Sequence, residues 1–247
     1  KGETMKKIIL LLILLLWAGT AFASELLIFA GAGMRAPLQE LGEEFTRETG
    51  VDVAFDFDGS GRLGSKIMMG IKPDLFVPGS EKWGRKLEQE GYVDHCVAIA
   101  YHTPVIITPK GNRKVKSLND LIRRDVKLAL GDSKAAAIGR NSQKLFKKAG
   151  LNPAEMNIVA RGINVKQLVN WVETGSVDAA IVWRADAFQS QLVETVIIPE
   201  DLNTIESIPL CRMVTPGHPE EAGKFWEFLL ARGAEVFAKH GFKAIEL

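Results

Sequence analysis

Residues 25–61 read ELLIFAGAGMRAPLQELGEEFTRETGVDVAFDFDGSG, and the fold class follows from this stretch. Glu25–Ala30 is an uninterrupted apolar run of strand length. Ala36–Thr49 places Leu38, Leu41 and Phe45 on one helical face and stops at Gly50. Val51–Asp58 alternates apolar and acidic residues, which is the period of a strand. Glycine-rich turns join the pieces: Gly31-Ala32-Gly33-Met34 before the helix, and Gly59-Ser60-Gly61 after the second strand. Strands joined through a helix pair in parallel, so the unit predicts a parallel sheet covered by helices.

Working outward, the same rhythm predicts a helix over Arg62–Gly70, a strand over Asp74–Val77 and a helix over Glu81–Glu90. Val97–Pro109 breaks it: a long β-rich run with Pro104 inside reads as a strand crossing from one lobe to another. The alternation resumes with helices at Leu118–Arg123, Gly139–Ala149 and Val165–Thr174. Strands fall at Lys127–Leu130, Asn157–Ala160, Asp178–Trp183 and Val193–Ile198. Ser207–Val214 is a second crossover, and Pro219–Lys239 is a closing helix with Phe225, Trp226, Leu229, Val236 and Phe237 on its apolar stripe. Two crossovers predict an α/β protein of two lobes, each a mixed, mostly parallel sheet flanked by helices. Lobe I takes residues 24–103 and 208–247, and lobe II residues 104–207.

The 247 residues are 47% hydrophobic and 25% charged, with a formal net charge of +1. That balance lacks the clustered basic excess of a nucleic-acid binder. Lys6 and Lys7, the apolar run Ile8–Trp17 and Ala21-Phe22-Ala23 form a cleavable export signal over residues 1–23, with Ser24 as the mature N-terminus. Removing Lys1, Lys6, Lys7 and Glu3 leaves 28 basic residues against 29 acidic. Such a chain must bind an anion through local donors. In an oxidising compartment Cys96 and Cys211 either pair or stay as two buried thiols; spacing alone does not decide.

Four strand-to-helix turns carry the functional signal: Gly31–Arg35, Gly59–Arg62, Ala137–Arg140 and Gly162–Val165. A helix N-terminus has unsatisfied N–H groups and partial positive charge, so several such ends at one cleft make an anion site, and glycine lets the ligand come close. Arg35, Arg62 and Arg140 each sit in a first helical turn, where the dipole disfavours a cation by about 0.3–1 kcal/mol. They stand with Asn164 as further ligand candidates, or as groups that pair with Asp58, Asp132 or Glu44. Trp183 ends a strand, either as an indole N–H donor or as a core residue. The four histidines, His95, His102, His218 and His240, lack metal spacing, and there is no nucleophile elbow. Gly31, Gly33 and Ala36, with Asp52 downstream, also fit a dinucleotide fingerprint. Against a dinucleotide enzyme stand the export signal and the second strand's own Gly-Ser-Gly turn.

Leu27–Leu38 (LIFAGAGMRAPL), Gly59–Ile67 (GSGRLGSKI), Pro73–Trp83 (PDLFVPGSEKW), Asn164–Glu173 (NVKQLVNWVE) and Asp178–Ala187 (DAAIVWRADA) together resemble the molybdate-binding proteins of ABC importers, over essentially the whole exported chain. The resemblance implies a type II periplasmic binding fold, no catalytic residue and no cofactor. Its ligand would be a molybdate or tungstate oxyanion held by neutral donors, with no direct metal ligand. The donors map onto Ser60 and onto the backbones of Ile138 and Val165, with Gly61 and Gly139 in the same turns. Gly33 stands where the family has a serine, leaving its own N–H and that of Met34, and Trp183 stands where the family has a tyrosine. The implied partners are a membrane permease with its ATPase, and the implied carrier is a periplasmic monomer. Sulfate, phosphate or a small carboxylate read by the arginines is the alternative. A fully ionised dianion needs donors only, whereas a protonated phosphate also needs an acceptor, for which Asp74, Asp132 and Asp186 are the candidates.

Overall fold

A computed structural model describes residues 25–245; the expected signal peptide lies outside the described residues. The opening apolar run forms β1 (Glu25–Gly31), which pairs in parallel with β2 (Asp52–Asp58) and with β3 (Leu75–Val77). Gly31 lies opposite Asp58, and Ala30 opposite Val77, so the three carboxyl ends leave the sheet at one edge. The sheet is completed by β4 (Val93–His102), β10 (Glu206–Met213) and the short β11 (Lys243–Ala244), in the order β11-β4-β10-β3-β1-β2.

Each face of this sheet is covered because the strands are apolar on both sides. Helix α1 (Arg35–Thr49) buries Leu38, Leu41 and Phe45 against one face together with the last helix, α7 (Pro219–Lys239). The Phe45 ring lies 4.9 Å from that of Phe225 and 5.4 Å from that of Phe228. Glu40 of α1 accepts from Lys239 and from His240 Nε2, bonds that lower its pKa. The opposite face lies under α2 (Ser60–Met68) and α3 (Glu81–Gln89), which bury Leu63, Ile67 and Leu87 on Phe29 and Phe76. Each such side chain contributes about 1.5–3 kcal/mol by leaving water. Asp74, 2% exposed, ties the far end of the sheet: its carboxylate accepts from the amides of Leu27 (2.8 Å) and His218 (2.7 Å).

The second sheet runs β7-β6-β8-β5-β9, from β5 (Pro104–Pro109), β6 (Leu128–Gly131), β7 (Ile158–Gly162), β8 (Ala179–Trp183) and β9 (Val193–Val196). β6 is parallel to β7 and β8, while β5 is antiparallel to β8 and β9. Helices α4 (Ala137–Lys148), α5 (Val165–Glu173) and the short α6 (Arg184–Phe188) follow β6, β7 and β8. Its core packs Ile107, Leu128 and Ile181 with Leu145, Phe146 and Leu168.

Four details differ from the sequence reading. Neither sheet is mostly parallel, since the first has two parallel and three antiparallel pairings and the second has two of each. The expected single run Val97–Pro109 is two strands in two sheets, broken at Thr103. Proline at 104 has no N–H to continue the first ladder; Thr103 accepts from the Arg184 amide (2.8 Å), and Pro104 from Asn203 Nδ2 (3.0 Å). The helix expected at Leu118–Arg123 is a 3-10 turn over Leu118–Ile122, opened by a Ser117–Asp120 capping box. Helix α6 and strand β11 are additions.

Cys211 lies opposite Cys96 in the β4–β10 register, and the two form a disulfide with a Cα separation of 4.1 Å, resolving the alternatives in favour of pairing. Gly84 of α3 closes over it: a Cβ there would stand 3.0 Å from each sulfur.

Candidate functional site

Ligands of open α/β sheets sit beyond the carboxyl ends of the strands, and there each sheet presents its glycine turns. In the first sheet, a 3-10 turn over Ala32–Met34 leads from β1 into α1, and Gly59 leads from β2 into α2. Met34 is fully buried beneath its turn, while Gly33 is exposed. In the second sheet, Gly131 lies opposite Gly162, so the loops into α4 and α5 leave side by side. Ile138 and Gly139 begin α4, and Gly139 is forced: a Cβ would meet the Gly131 carbonyl oxygen and stand 2.6 Å from that of Asp132.

The helix starts are open. Helices α1, α2 and α4 have no side-chain cap and no acidic residue in the first turn. At α5 the Asn164 side chain accepts from the Gln167 amide (3.0 Å), again with no acidic residue in the first turn. Helices α3 and α7 also lack a side-chain cap but carry acidic first turns, with Glu81 in α3 and Glu220 and Glu221 in α7. First-turn amides with no acidic residue in the helix turn itself thus set α1, α2 and α4 apart, although Asp58 Oδ1 accepts from the Gly59 amide (2.6 Å) just ahead of α2.

The contacts bring part of the expected residue set together around a residue that the sequence reading passed over. Ser60 Oγ accepts from the Gly79 amide (2.9 Å), which leaves its hydroxyl proton free to donate. A Cβ at Gly79 would stand 3.6 Å from Ser60 Oγ and 3.7 Å from His102 Nε2; one at Gly33 would stand 3.7 Å from His102 Cε1. The His102 ring lies 5.0 Å from that of Trp183, at the end of β8, and 5.6 Å from that of Phe242. Gly33, Ser60, Gly79 and His102 from one sheet thus meet Trp183 from the other. Ile138, Gly139, Val165 and Asn164 lie at the matching edge of the second sheet, and Gly61 packs on Trp83 behind the turn (3.3 Å from a Cβ placed there).

His102 is 8% exposed, and its Nδ1 is sealed without a partner, as is Thr103 Oγ1 beside it. Burial pushes its pKa down to about 4, with Glu206 pulling weakly the other way, so the ring is neutral at physiological pH. A clue was present in the sequence: His102 stands in the first crossover, at the entrance to the proline.

The charged candidates find local partners. The Arg35 guanidinium lies 4.3 Å over the Phe57 ring, Arg62 pairs with Asp58 (3.4 Å), and Arg140 reaches the Ser133 carbonyl (3.5 Å). Arg35 and Phe57 line a groove of about 590 Å³ along α1 and β2 whose walls do not include Gly33, Ser60, Gly79 or His102. Among the acids, Asp74 serves the opposite end of the sheet. Asp132 accepts from the Lys134 and Ala135 amides of its own loop, which hold its pKa down. Asp186 on α6 is partly buried; burial pushes its pKa up to about 6 against the pull of Lys166. Among the described residues no three His, Cys, Asp or Glu side chains form a metal-holding group, and no helix is long and apolar enough to cross a membrane.

Residues 26–243 match the family described as bacterial extracellular solute-binding proteins. The chain belongs to this family. A binding protein of Haemophilus influenzae is 29% identical over 96% of this chain and 98% of its own. The molybdate-binding protein of Escherichia coli K12 is 26% identical, over 91% of this chain and 92% of its own. Among solved structures, the substrate-binding domain of an ABC transporter from Clostridium difficile superposes with a TM-score of 0.81 at 24% identity, over 90% of this chain and 100% of that one. The architecture is that of the type II periplasmic binding proteins, and the family's members are substrate-binding components of transporters rather than enzymes.

Proposed function

We propose that this solute-binding protein captures a tetrahedral oxyanion, molybdate or tungstate before others, and hands it to a membrane permease and its ATPase. The observation that carries the reading is the set of uncapped helix starts at α1, α2 and α4, none with an acidic residue in its first turn. Amides arranged in this way stabilise a dianion without a formal cation. The protein has no enzymatic activity and works as a monomeric carrier, exported to the periplasm by residues 1–23. The binding cleft lies between a lobe of residues 24–103 with 208–247 and a lobe of 104–207. The anion is held by the backbones of Gly33, Met34, Gly61, Ile138, Gly139 and Val165, by the Ser60 hydroxyl and by the Trp183 indole. Closure of one lobe on the other then creates the shape that the permease reads.

Donors alone suit a fully ionised anion. The local engagement of Arg35, Arg62 and Arg140 argues against a carboxylate clamped by guanidinium groups. The relation to the E. coli molybdate-binding protein supports the same choice.

The test is thermal melting of the exported chain with molybdate, tungstate, sulfate, phosphate and small carboxylates. A ligand at about 100 times its dissociation constant adds about 2.7 kcal/mol, and a shift of about 5–10 °C at this chain length. A shift with molybdate or tungstate, and none with phosphate, is the expected result. No shift with any tetrahedral oxyanion refutes the reading.

A further inference from the structure

We propose that His102 is an anion-contacting residue, donating from Nε2 as a neutral imidazole into the space beside Gly33 and Gly79. The inference rests on the oxyanion reading above. It begins with where the ring lies. Cε1 lies 3.7 Å from the Cβ position of Gly33, and Nε2 and Ser60 Oγ both border Gly79, 3.7 and 3.6 Å from its Cβ position. Both glycines are in turns at the carboxyl edge of the first sheet, and neither puts a side chain between the ring and the cleft.

The tautomer follows from burial. A neutral imidazole has one N–H and one bare nitrogen. Nδ1 is sealed off with no acceptor in reach, so a proton placed there would be an orphaned buried donor, a costly arrangement. The proton therefore belongs on Nε2, which faces the Ser60 turn. Trp183 and Phe242 pack against the ring and fix its plane. Glu206, opposite His102 in the β4–β10 register, is held by Lys144 at 2.9 Å and leaves Nε2 unclaimed. The result is a rigid neutral donor beside the Ser60 hydroxyl.

Two substitutions test this, His102→Phe and His102→Gln, with molybdate as the probe in titration calorimetry. Phenylalanine keeps the packing on Trp183 and Phe242 and removes the donor. Glutamine supplies an amide N–H at similar reach. A hydrogen bond to a charged group corresponds to about a 10- to 100-fold change in affinity. H102F should lose about that factor while keeping the wild-type circular dichroism, and H102Q should recover most of it. In the wild type, the Nε2 resonance in proton–nitrogen correlation spectra should shift on adding molybdate. Wild-type molybdate affinity in H102F, or equal losses in H102F and H102Q, overturns the assignment of His102 and leaves the oxyanion reading standing. A wild-type protein that binds no tetrahedral oxyanion overturns that reading, and this assignment with it.

Discussion

Replacing Asp186 by asparagine should stabilise the protein in a strongly pH-dependent way. Burial holds this carboxyl at about 6, against the ordinary 3.8, so the folded state takes up the proton first as pH falls. The sign follows from linkage: between those two values the folded form carries more protons than the unfolded, so stability falls as pH rises. The contribution is full below about pH 4, drains away up to about pH 6, and above that the ionised carboxylate is a constant burden. A pKa raised this far corresponds to about 3 kcal/mol. The amide of D186N cannot ionise, so the stability difference between D186N and wild type should grow by up to about 3 kcal/mol from about pH 4 to about pH 6.5 and then level off. Any loss from disturbed packing adds an offset that does not vary with pH. His102 runs the other way. Its pKa is pushed down from 6.5 to about 4, so its contribution is full above about pH 6.5 and is lost as pH falls towards 4. The two slopes oppose each other between about pH 4 and 6 in the wild type, and D186N should expose the rising limb of His102 alone. Urea unfolding at four values from about pH 4 to about pH 7.5 measures both curves. A D186N-minus-wild-type difference that stays constant over this range refutes the reasoning.

Three further outcomes rest on particular contacts. Gly139→Ala puts a methyl group against the Gly131 and Asp132 carbonyls, with no flexible side chain to yield; overpacking of about 1–3 kcal/mol should lower Tm by about 3–10 °C and weaken molybdate binding, read by scanning calorimetry and titration. The double variant C96S/C211S opens a loop spanning a sequence separation of 115 and should cost about 2–4 kcal/mol in chemical unfolding, while oxyanion affinity holds because the pair lies behind α3. Asp74→Asn keeps one acceptor where the Leu27 and His218 amides use two oxygens, and should cost about 2–3 kcal/mol in urea melts with unchanged molybdate affinity.

The fold was legible where period and punctuation agree. The run from β1 through Gly50 to β2 shows its strand, helix and stop in order, and both structure and sequence end α1 at Thr49. What stayed hidden depends on which distant segments meet. The run Val97–Pro109 has strand character throughout, and only the tertiary structure assigns its two halves to different sheets. Cys96 and Cys211 pair because of the β4–β10 register, which two isolated apolar segments do not state. The arginines show the limit most clearly. A cation in the first turn of a helix asks for a reason, and the sequence offers both an anion and a local partner; Phe57, Asp58 and the Ser133 carbonyl supply the local one.

His102 failed to stand out for a related physical reason. A single histidine ending an apolar strand carries no local pattern. Its position acquires chemical meaning only when Gly33, Gly79 and Trp183 arrive around its ring, with Ser60 bordering Gly79, all from widely separated parts of the chain. Each of those neighbours is small or neutral, which suits the dianion proposed above better than charge-paired side chains would. With 31 basic against 30 acidic residues, the chain has no global field to draw an anion in. The donors must be placed before the ligand arrives, and the uncapped helix starts and the neutral ring are already in position.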